Sequence, residues 1–278
     1  MLSIDEIIAN ALTEDVGDGD HTSLSCIPHD AKGKAKLVAK EDGVLAGVEV
    51  AGKVFKMVDH TTKFNALLKD GTIIKPGDVV FEVEGKSLSL LTAERLALNF
   101  LQRMSGIATK TAHYVSLIEG TGAKLLDTRK TTPNLRLLEK MAVIIGGGYN
   151  HRMGLYDMIM IKDNHVDFAG GINKAVERTV KYLKEKGLGL KIEVEVRSFD
   201  EIDEVINTNA VHRIMLDNFS TDELKNAVEY IDKRLETEAS GGITEKNIRE
   251  YALTGVDFIS VGALTHHIKS LDLSLKAV

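Results

Sequence analysis

The chain has 278 residues, of which 44% are hydrophobic and 27% are charged, and its formal net charge is -6. This length exceeds the usual size of one domain and allows a large hydrophobic core, so two domains are the first expectation. The acidic balance argues against binding to nucleic acid or to anionic membrane surfaces, because the net charge of the protein would repel both.

The N-terminal segment carries neither the basic region nor the apolar region of a secretory signal. No apolar run in the chain approaches the ~18 residues that a transmembrane helix requires. The single cysteine, Cys26, cannot form an intrachain disulfide and is interpreted as a small packing residue. Together these features predict a cytoplasmic protein.

The first third of the chain predicts a small sheet domain with helices. Apolar spacing indicates a helix over residues 4–12, and the aspartate-rich run after it indicates a solvated turn, since the closing glutamate of a calcium loop is absent. Strand patterns over residues 35–84 flank one helix over residues 50–58. A longer helix is predicted over residues 92–104, and Gly106 is predicted to mark the passage into a second domain.

From residue 108 onward, strand-like segments with polar or glycine ends alternate with helix-like segments. The predicted strands cover 124–127, 157–161, 192–196, 213–217, 235–240 and 257–262. The predicted helices cover 175–184, 199–205, 222–235 and 244–253, the last with Thr244 as its N-cap and Gly255 after its end. Roughly six such units predict an α/β barrel, in which the carboxyl ends of the strands share one mouth.

Basic side chains lie close to the ends of two predicted strands. Arg129 and Lys130 follow the first strand, Arg152 lies between the first and the second, and Lys162 follows the second. Cations that meet in an otherwise acidic protein imply an anionic ligand, because an arginine fork suits carboxylate or phosphate oxygens and a lysine supplies a compact charge. A solvated basic face is the alternative. Lys162 also permits a different mechanism, in which it forms a Schiff base with a carbonyl substrate.

Two carboxylates, Glu195 and Asp217, end predicted strands and are expected to face the same mouth as the cations. Alternation puts Glu193 on the same side as Glu195, and Glu195 is chosen because it lies nearer the carboxyl end of its strand. Such carboxylates suit Mg²⁺, held directly or through its waters, or a sugar diol. Structural ion pairs with the arginines are the alternative.

Glycine-bearing turns follow the last two predicted strands. Their backbone N–H groups predict a phosphate site of the kind that barrels build from their final loops, although glycine in such turns also serves backbone geometry alone. The residues are Ser240, Gly241 and Gly242 in one turn and Val261, Gly262 and Ala263 in the other.

Four histidines are candidates for chemistry. His151 and His165 have side chains suited to acid–base catalysis, but the glycine-rich segment before His151 equally favours a turn that positions Arg152. The pair His266 and His267 has no partner at zinc-ligand spacing, which argues against a metal hydrolase.

Seven short motifs are spread in order over nearly the whole chain. They are Leu91-Thr92-Ala93-Glu94-Arg95, Asp127-Thr128-Arg129-Lys130-Thr131-Thr132-Pro133, Gly146-Gly147-Gly148 with Asn150-His151-Arg152, Ile161-Lys162-Asp163-Asn164-His165, Glu193-Val194-Glu195-Val196, Leu216-Asp217-Asn218-Phe219 and Glu238-Ala239-Ser240-Gly241-Gly242-Ile243. Each motif alone is short, but the ordered set is specific and resembles the quinolinate phosphoribosyltransferase family.

The resemblance implies an α/β fold: an N-terminal open-sandwich domain over residues 1–107, joined by residues 268–278, and an incomplete α/β barrel of about six parallel strands over residues 108–267. It also implies the activity. The phosphoribosyl group of phosphoribosyl pyrophosphate would pass to quinolinate with decarboxylation, which gives nicotinate mononucleotide for NAD biosynthesis. The family forms dimers or multiples of dimers, so Arg95 would reach into the neighbouring subunit's site.

The resemblance further assigns roles to individual residues. Glu195 and Asp217 would lie in the ribose and Mg²⁺ region, and they would be catalytic together with Lys130 and Lys162. The substrate-binding set would be Arg95, Thr128, Arg129, Lys130, His151, Arg152, Lys162, Glu195, Asp217, Ser240, Gly241, Gly242, Val261, Gly262 and Ala263, with the two glycine turns at the 5-phosphate. Arg197 departs from the family pattern, in which an acidic or neutral residue is expected beside Glu195.

Three alternatives remain at this point. The first is a related pyrophosphorylase-like paralogue of the type found beside molybdate transporters, which would use a different base or acid. The second is a barrel lyase that forms a Schiff base at Lys162. The third is a non-catalytic protein that binds a phosphorylated metabolite, which would retain binding without turnover.

Overall fold

The computed structural model describes residues 2–278. The chain folds into two compact units: the first comprises the residues up to His113 with Lys130–Gly147 and Leu264–Val278, and the second comprises Tyr114–Arg129 and Gly148–Ala263. These bounds differ from the predicted domains, 1–107 and 108–267, chiefly because Lys130–Gly147 belongs to the first unit. Among residues 2–278, no helix has the length and apolarity required to cross a membrane.

The described residues form eleven α-helices and twelve strands. Up to residue 117 these are α1 (Ile4–Val16), α2 (His21–Cys26), β1 (Lys32–Ala39), β2 (Gly43–Val44), α3 (Val48–Val58), β3 (Lys63–Ala66), β4 (Ile73–Ile74), β5 (Val79–Lys86) and α4 (Ser87–Leu117). They continue with β6 (Lys124–Leu126), α5 (Arg136–Ile145), β7 (Ile159–Ile161), α6 (Asp163–Ala169), α7 (Ile172–Lys186), β8 (Ile192–Val196), α8 (Phe199–Asn207), β9 (Arg213–Asp217), α9 (Thr221–Ile231), β10 (Glu236–Ser240), α10 (Ile248–Ala252), β11 (Phe258–Ser260), α11 (Ala263–His266) and β12 (Leu273–Ala277).

An antiparallel sheet in the order β12-β1-β5-β3 forms the centre of the first unit. Buried Leu37 of β1 lies opposite Leu275 on one side and Phe81 on the other. The ring centroid of Phe81 lies 6.0 Å from that of Phe55 in α3 and 4.6 Å from that of Phe64 in β3. The helix predicted over residues 50–58 is confirmed as α3, and it contributes its aromatic side to the core of this sheet.

Helix α4 corrects the interpretation of Gly106. The helix begins at Ser87 and continues through Gly106 to Leu117, a length of 31 residues. A Cβ atom at position 106 would lie 2.3 Å from the carbonyl oxygen of Lys269, so the glycine permits a close backbone approach. The glycine therefore does not end the helix, which runs from the predicted first domain into the predicted second one.

Segment Lys130–Gly147 joins the first unit through contacts between α5 and α4. The buried carboxylate of Glu139 accepts hydrogen bonds from Arg103 Nε at 2.8 Å and from its Nη2 at 2.5 Å. Where α5 ends at Gly146, a Cβ atom would lie 2.4 Å from the carbonyl oxygen of Ala108. A short contact of this kind needs glycine, so the helix ends against the backbone of α4.

The second unit contains six parallel strands in the order β6-β11-β10-β9-β8-β7. All six predicted strands are therefore confirmed, and the sheet has two edge strands, β6 and β7. Tyr149 adds a single parallel bridge to Leu126 beside β6. The arrangement agrees with the predicted incomplete barrel, because β6 and β7 do not pair with each other.

Two central strands of this sheet, β8 and β10, carry carboxylates on one face. In β8 the apolar positions are Ile192, Val194 and Val196, and Glu193 and Glu195 lie between them. In β10 the carboxylate of Glu238 is fully buried. Parallel strands covered on both faces normally form continuous apolar runs, so one polar face is unusual and indicates a functional interior.

Several predicted helices differ from the observed ones at their ends. Helix α9 ends at Ile231 rather than residue 235, because Asp232 and Lys233 adopt positive φ angles of 47° and 59°. The helix predicted over 244–253 is observed as the shorter α10, which begins at Ile248. Thr244 is not the N-cap of this helix, because the Thr244 N–H donates to Asn247 Oδ1 at 2.7 Å within a turn. Helix α7 is longer than predicted. Helices α5 and α6 were not predicted at all.

Candidate active site

Two guanidinium groups of the second unit lie near each other, that of Arg129 after β6 and that of Arg152 in the loop before β7. The pKa of Arg152 is lowered from its usual value, first because burial removes water from the guanidinium and then because the charge of Arg129 repels it. A negatively charged ligand between such groups relieves both penalties. The structure thus brings together two of the cations that were predicted to converge.

Lys162 and Glu195 form a short ion pair, with 2.6 Å between Nζ and Oε2. Lys162 follows β7 directly, and its backbone N–H donates to Nδ1 of His165 at 2.9 Å, which fixes the start of α6. The pair connects the ends of the adjacent strands β7 and β8. The Nζ atom of Lys162 is thus engaged by a carboxylate, whereas a Schiff-base lysine is typically activated by an apolar pocket or a neighbouring cation.

Below this pair, three buried side chains form a cluster: His151, Glu193 and Glu238. His151 Nε2 lies 3.2 Å from Glu193 Oε2 and 3.5 Å from Glu238 Oε2. Both carboxyl groups are fully buried, and Arg213 Nη1 donates to Glu238 Oε2 at 3.0 Å. Glu193 lies two residues before Glu195 on the same face of β8. The structure pairs Glu195 with Lys162 and places Glu193 in the buried cluster.

Burial raises the pKa of Glu193 to about 7 and that of Glu238 to about 7. Desolvation is the largest cause for both, and the charge of Glu193 further raises the pKa of Glu238. The charges of Arg213, Arg152 and Lys162 act in the opposite direction on Glu193. The cluster therefore carries less negative charge at neutral pH than its two carboxyl groups would carry in water.

Asp217 ends β9 beside the first glycine turn. Its Oδ2 accepts a hydrogen bond from Asn218 Nδ2 at 2.6 Å, and Asn218 N–H donates to the carbonyl of Ser240 at 2.9 Å. Asn218 has a φ of 59° and Gly241 has a φ of 93°. A Cβ atom on Gly241 would lie 2.2 Å from Asn218 Oδ1, so both backbone angle and space require glycine here.

The predicted phosphate turns are located at the ends of β10 and β11. Gly242 also has a positive φ, of 62°, and nothing lies within 4 Å of the place where its Cβ would be. Helix α10 begins at Ile248, six residues beyond Gly242. The turn therefore does not lead straight into a helix N-terminus, contrary to the prediction. Val261 of the second turn is buried, and its N–H donates to the carbonyl of Leu126 at 3.0 Å.

Lys130 belongs to the first unit, in which side chains form hydrogen bonds with the backbone of residues 130–132. The hydroxyl of buried Thr265 donates to the Lys130 carbonyl at 2.8 Å. The N–H of Thr132 donates to Glu139 Oε2 at 3.1 Å. Burial lowers the pKa of His266, and the charges of His267, Lys130 and Lys110 lower it further. Lys130 thus lies near other basic side chains of the first unit, Lys110, His266 and His267.

Arg95 and Arg197 take no part in the contacts described above. Arg95 is exposed on α4 in the first unit. Arg197, which departs from the family pattern, pairs with Glu201 at 3.3 Å between Nη2 and Oε1. The charge of Arg197 is therefore directed to the first turn of α8.

The structure adds residues that the sequence analysis did not select. Buried Asp127 accepts the N–H of His151 at 2.8 Å, and Glu238 belongs to the buried cluster. Glu139 and Arg103 hold the loop after Arg129. The strand alternation offered a signal for Glu238, because it occupies the same inner face as Ser240. For Glu139 there was no comparable signal, since α5 was not predicted.

A pocket of about 350 Å³ lies beside the edge strand β7. Arg152, His165 and Arg178 are its basic lining residues, and the remaining lining is mostly apolar. Lys162 and Glu195 do not line it. The pocket therefore adjoins the predicted site at Arg152 without containing the Lys162–Glu195 pair.

An incomplete α/β barrel whose strand ends carry cations, carboxylates and glycine turns defines a class of enzyme that acts on multiply charged, phosphorylated substrates. Two family models divide the chain between them: "Quinolinate phosphoribosyl transferase, N-terminal domain" matches residues 20–105, and "Quinolinate phosphoribosyl transferase, C-terminal domain" matches residues 107–276. The chain belongs to the quinolinate phosphoribosyltransferase family.

Relatives match over nearly the whole chain. A chloroplastic nicotinate-nucleotide pyrophosphorylase (carboxylating) of Arabidopsis thaliana is 46% identical, with 97% of this chain and 81% of the relative covered. The probable enzyme of the same name from Bacillus subtilis is 41% identical, with coverage of 99% and 93%. The structure of nicotinate-nucleotide pyrophosphorylase from Francisella tularensis superimposes with a TM-score of 0.93 at 40% identity, covering 99% of this chain and 96% of that one.

Proposed function

We propose that the protein transfers the phosphoribosyl group of phosphoribosyl pyrophosphate to quinolinate and releases pyrophosphate and CO₂, which gives nicotinate mononucleotide for NAD biosynthesis. The observation that carries this proposal is the pair of adjacent cations, Arg129 and Arg152, in a chain that the family matches almost from end to end. The family match does not favour a paralogue with another substrate.

The two guanidinium groups suit quinolinate because that substrate carries two neighbouring carboxylates. Arg152 is partly desolvated and is repelled by Arg129, so a dianion between them offsets both effects. Each planar fork can bind one carboxylate with two parallel hydrogen bonds. Thr128, His151 and Lys130 belong to the same proposed substrate-binding set.

The carboxylates Glu195 and Asp217 suit the ribose. When the pyridine nitrogen attacks the anomeric carbon and pyrophosphate leaves, positive charge develops on the sugar ring. A fixed carboxylate beside that ring stabilises the charge more in the transition state than in the ground state. Lys162 holds Glu195 in place through their 2.6 Å contact and adds a cation toward the anionic substrates.

The phosphate groups require neutral donors and a metal ion. The backbone N–H groups of the two glycine turns, from Ser240 to Gly242 and from Val261 to Ala263, are proposed to hold the 5-phosphate, except that of Val261, which donates to the Leu126 carbonyl. Mg²⁺ commonly binds one or two carboxylates and completes its shell with water and substrate phosphate, so the donor set of Glu195 and Asp217 fits it. Bound there, Mg²⁺ would neutralise charge on the departing pyrophosphate.

Decarboxylation needs little from the protein beyond position and a dry environment. Once the ring nitrogen is bonded to ribose it is positively charged, and it accepts the electron pair left when the adjacent carboxylate departs as CO₂. A proton from solvent then replaces the lost carboxylate. Burial around Arg152 favours this step, because loss of a charged group is easier where water does not solvate it.

Direct assay tests the proposal. Purified protein is supplied with quinolinate, phosphoribosyl pyrophosphate and Mg²⁺, and released CO₂ and nicotinate mononucleotide are measured, with nicotinate as the control substrate. We expect product when quinolinate is supplied with phosphoribosyl pyrophosphate and Mg²⁺, and no product when nicotinate replaces quinolinate. Absence of product with folded protein contradicts the proposal, and trapping of a substrate on Lys162 by borohydride would favour the lyase alternative instead.

A further inference from the structure

The two carboxyl groups of the buried cluster formed by His151, Glu193 and Glu238 have no part in the proposed chemistry. The ligand atoms of the three residues lie within 4.8 Å of one another. Neither oxygen of Glu193 has a hydrogen-bond partner among residues 2–278, although the side chain is fully buried. A buried polar group of this kind needs a partner that lowers its desolvation penalty, and Nε2 of His151 lies 3.2 Å from Glu193 Oε2.

The hydrogen bonds of the ring define which nitrogen carries the proton. His151 Nδ1 accepts the backbone N–H of Arg152 at 2.6 Å, so Nδ1 bears no hydrogen. The neutral ring therefore carries its proton on Nε2, which faces the two carboxyl groups. A metal ion at Nε2 would require the proton to move to Nδ1, where it would oppose the Arg152 N–H. The cluster is consequently suited to a proton and not to a metal.

The loop that carries Arg152 depends on such side-chain acceptors. Residues 151–158 have no regular secondary structure. The N–H of His151 donates to Asp127 Oδ1 at 2.8 Å, and the N–H groups of Met153 and Gly154 donate to Asp157 at 2.6 Å and 2.8 Å. Backbone donors that lack a ladder partner are fixed only as firmly as the side chains that accept from them.

We propose that Glu193 and Glu238 act through His151 as positioning residues for Arg152 and thereby set the affinity for quinolinate. The carboxyl groups orient the ring, the ring accepts the Arg152 N–H, and the guanidinium of Arg152 is held toward the substrate carboxylates. Glu238 is itself held by Arg213 at 3.0 Å, so the chain of contacts begins on β9 and ends at the substrate. This inference rests on the proposed function.

The first test is spectroscopic and does not depend on turnover. Two-bond ¹H–¹⁵N correlation spectra of histidine-labelled, full-length protein report which ring nitrogen is protonated, and His151→Asn identifies the signals of His151. We expect the neutral Nε2–H form at neutral pH. A proton on Nδ1, or a zinc ion that binds with loss of the Nε2–H signal, overturns the inference.

The second test is kinetic. Glu238→Gln and Glu193→Gln are expected to raise the KM for quinolinate about tenfold, with smaller changes in kcat and in the KM for phosphoribosyl pyrophosphate. Glu236→Gln is the matched control, because Glu236 also pairs with Arg213, at 3.2 Å, but is not in the His151 cluster. Equal effects of the control, or equal changes in both KM values, overturn the inference.

Coupling and rescue separate positioning from simple loss of structure. In an Arg152→Lys background, Glu238→Gln is expected to add little, since the group that it positions is already altered. His151→Asn keeps an acceptor near the Nδ1 position and is expected to recover part of the quinolinate affinity lost in His151→Ala. Full additivity, or no difference between Asn and Ala, counts against positioning.

Failure of the proposed function is distinguishable from failure of this inference. If the wild-type protein forms no product, the proposed function fails, and the histidine spectra together with calorimetric binding of quinolinate still decide the positioning role. If the wild type is active and the variants match the control, only the positioning role fails. Circular dichroism confirms that each variant is folded before it is compared.

Discussion

At the residue scale, the ion pair between Lys162 and Glu195 links two barrel strands at the proposed reaction centre. Its atoms lie 2.6 Å apart, and the Lys162 side chain is 43% exposed. An exposed lysine contributes little to stability through an ion pair, whereas its charge matters where anionic substrates bind. Function and stability should therefore respond differently to its removal.

We predict that Lys162→Ala lowers kcat/KM by about 100-fold or more, because the variant loses a cation and frees Glu195. The free energy of unfolding should change by about 1 kcal/mol or less. Steady-state kinetics and denaturant unfolding measure the two quantities. Lys181→Ala, which breaks a surface pair with Glu185, is the control and should change neither. Near-normal turnover of Lys162→Ala would contradict its proposed role.

The raised pKa of Glu238 makes a prediction about stability and pH. Its value is about 7 in the folded protein against an ordinary value of 4.5, so folding favours the protonated form. The stabilisation is fully present below pH 4.5 and is lost as the pH rises through about 7. Between pH 5 and 8, wild type should lose on the order of 2 kcal/mol relative to Glu238→Gln.

Thermal and denaturant unfolding of both proteins across this pH range measure the difference. Glu236→Gln, at a residue that is 40% exposed in its side chain, should retain the pH trend of the wild type. A constant difference between wild type and Glu238→Gln from pH 5 to 8 would show that Glu238 is ionised throughout, against the effect of its burial.

Among single residues, the sequence predicted Glu195 correctly as a strand-end carboxylate but left open how it differs from Glu193. Alternation places both on one face, and only the tertiary structure separates them, because depth in a barrel depends on how neighbouring strands are staggered. The same is true of His151. Its sequence context allowed an acid, a base or a turn, and the hydrogen bond that its Nδ1 accepts from Arg152 is visible only in the structure.

At the scale of elements, helix α4 is the largest difference between prediction and structure. Glycine is a poor helix former, so a boundary at Gly106 followed from local propensity. The helix continues through this glycine, and the backbone at Lys269 packs so closely against it that a side chain would not fit there. Local propensity was overridden by a contact 163 residues away along the chain (269 minus 106).

This contact predicts the effect of Gly106→Ala. Alanine favours helix by about 1 kcal/mol, but its Cβ would lie 2.3 Å from the Lys269 carbonyl oxygen, so we expect net destabilisation of about 2 kcal/mol. Denaturant unfolding is the measurement. Gly189→Ala is the control, since no atom lies within 4 Å of the place where its Cβ would be and its φ is not positive. A more stable Gly106→Ala protein would contradict the close contact.

The strands were predicted more completely than the helix ends. All six strands of the second unit were found because each is a short apolar run with a polar end, and burial enforces that pattern. Helix ends depend on capping and on positive φ angles, which several residue types adopt. Asp232 and Lys233 end α9 in this way, and Asn247 rather than Thr244 precedes α10.

At the scale of the whole molecule, we propose a dimer with shared active sites, as the resemblance to the family implies. Arg95 is exposed on α4, and the proposal directs it into the partner's site. Closed two-fold symmetry would give each dimer two equivalent sites, each with one arginine from the neighbour. The arrangement can be tested without a structure of the dimer.

We predict that Arg95→Ala and Lys162→Ala proteins, each inactive alone, regain up to about one quarter of wild-type activity when dissociated and reassembled together. Random pairing makes half of the dimers mixed, and each mixed dimer has one intact site of two. Arg129→Ala mixed with Lys162→Ala is the control, because both changes lie in the same barrel and no site is restored. Activity that stays at the level of the separate variants, in dimers shown to have exchanged, would contradict the shared site.

The sequence by itself determined the α/β class, the six parallel strands, the family and the identity of the charged residues, because these follow from local periodicity and from motifs that the chain carries in order. The tertiary structure alone decided which of those residues meet. Alternation along one strand gives the face of a side chain but not its depth or its partner, and those depend on strands far apart in the chain. The burial of Glu193 and Glu238 beneath the Lys162–Glu195 pair, and the course of α4 through Gly106, are consequences of that packing.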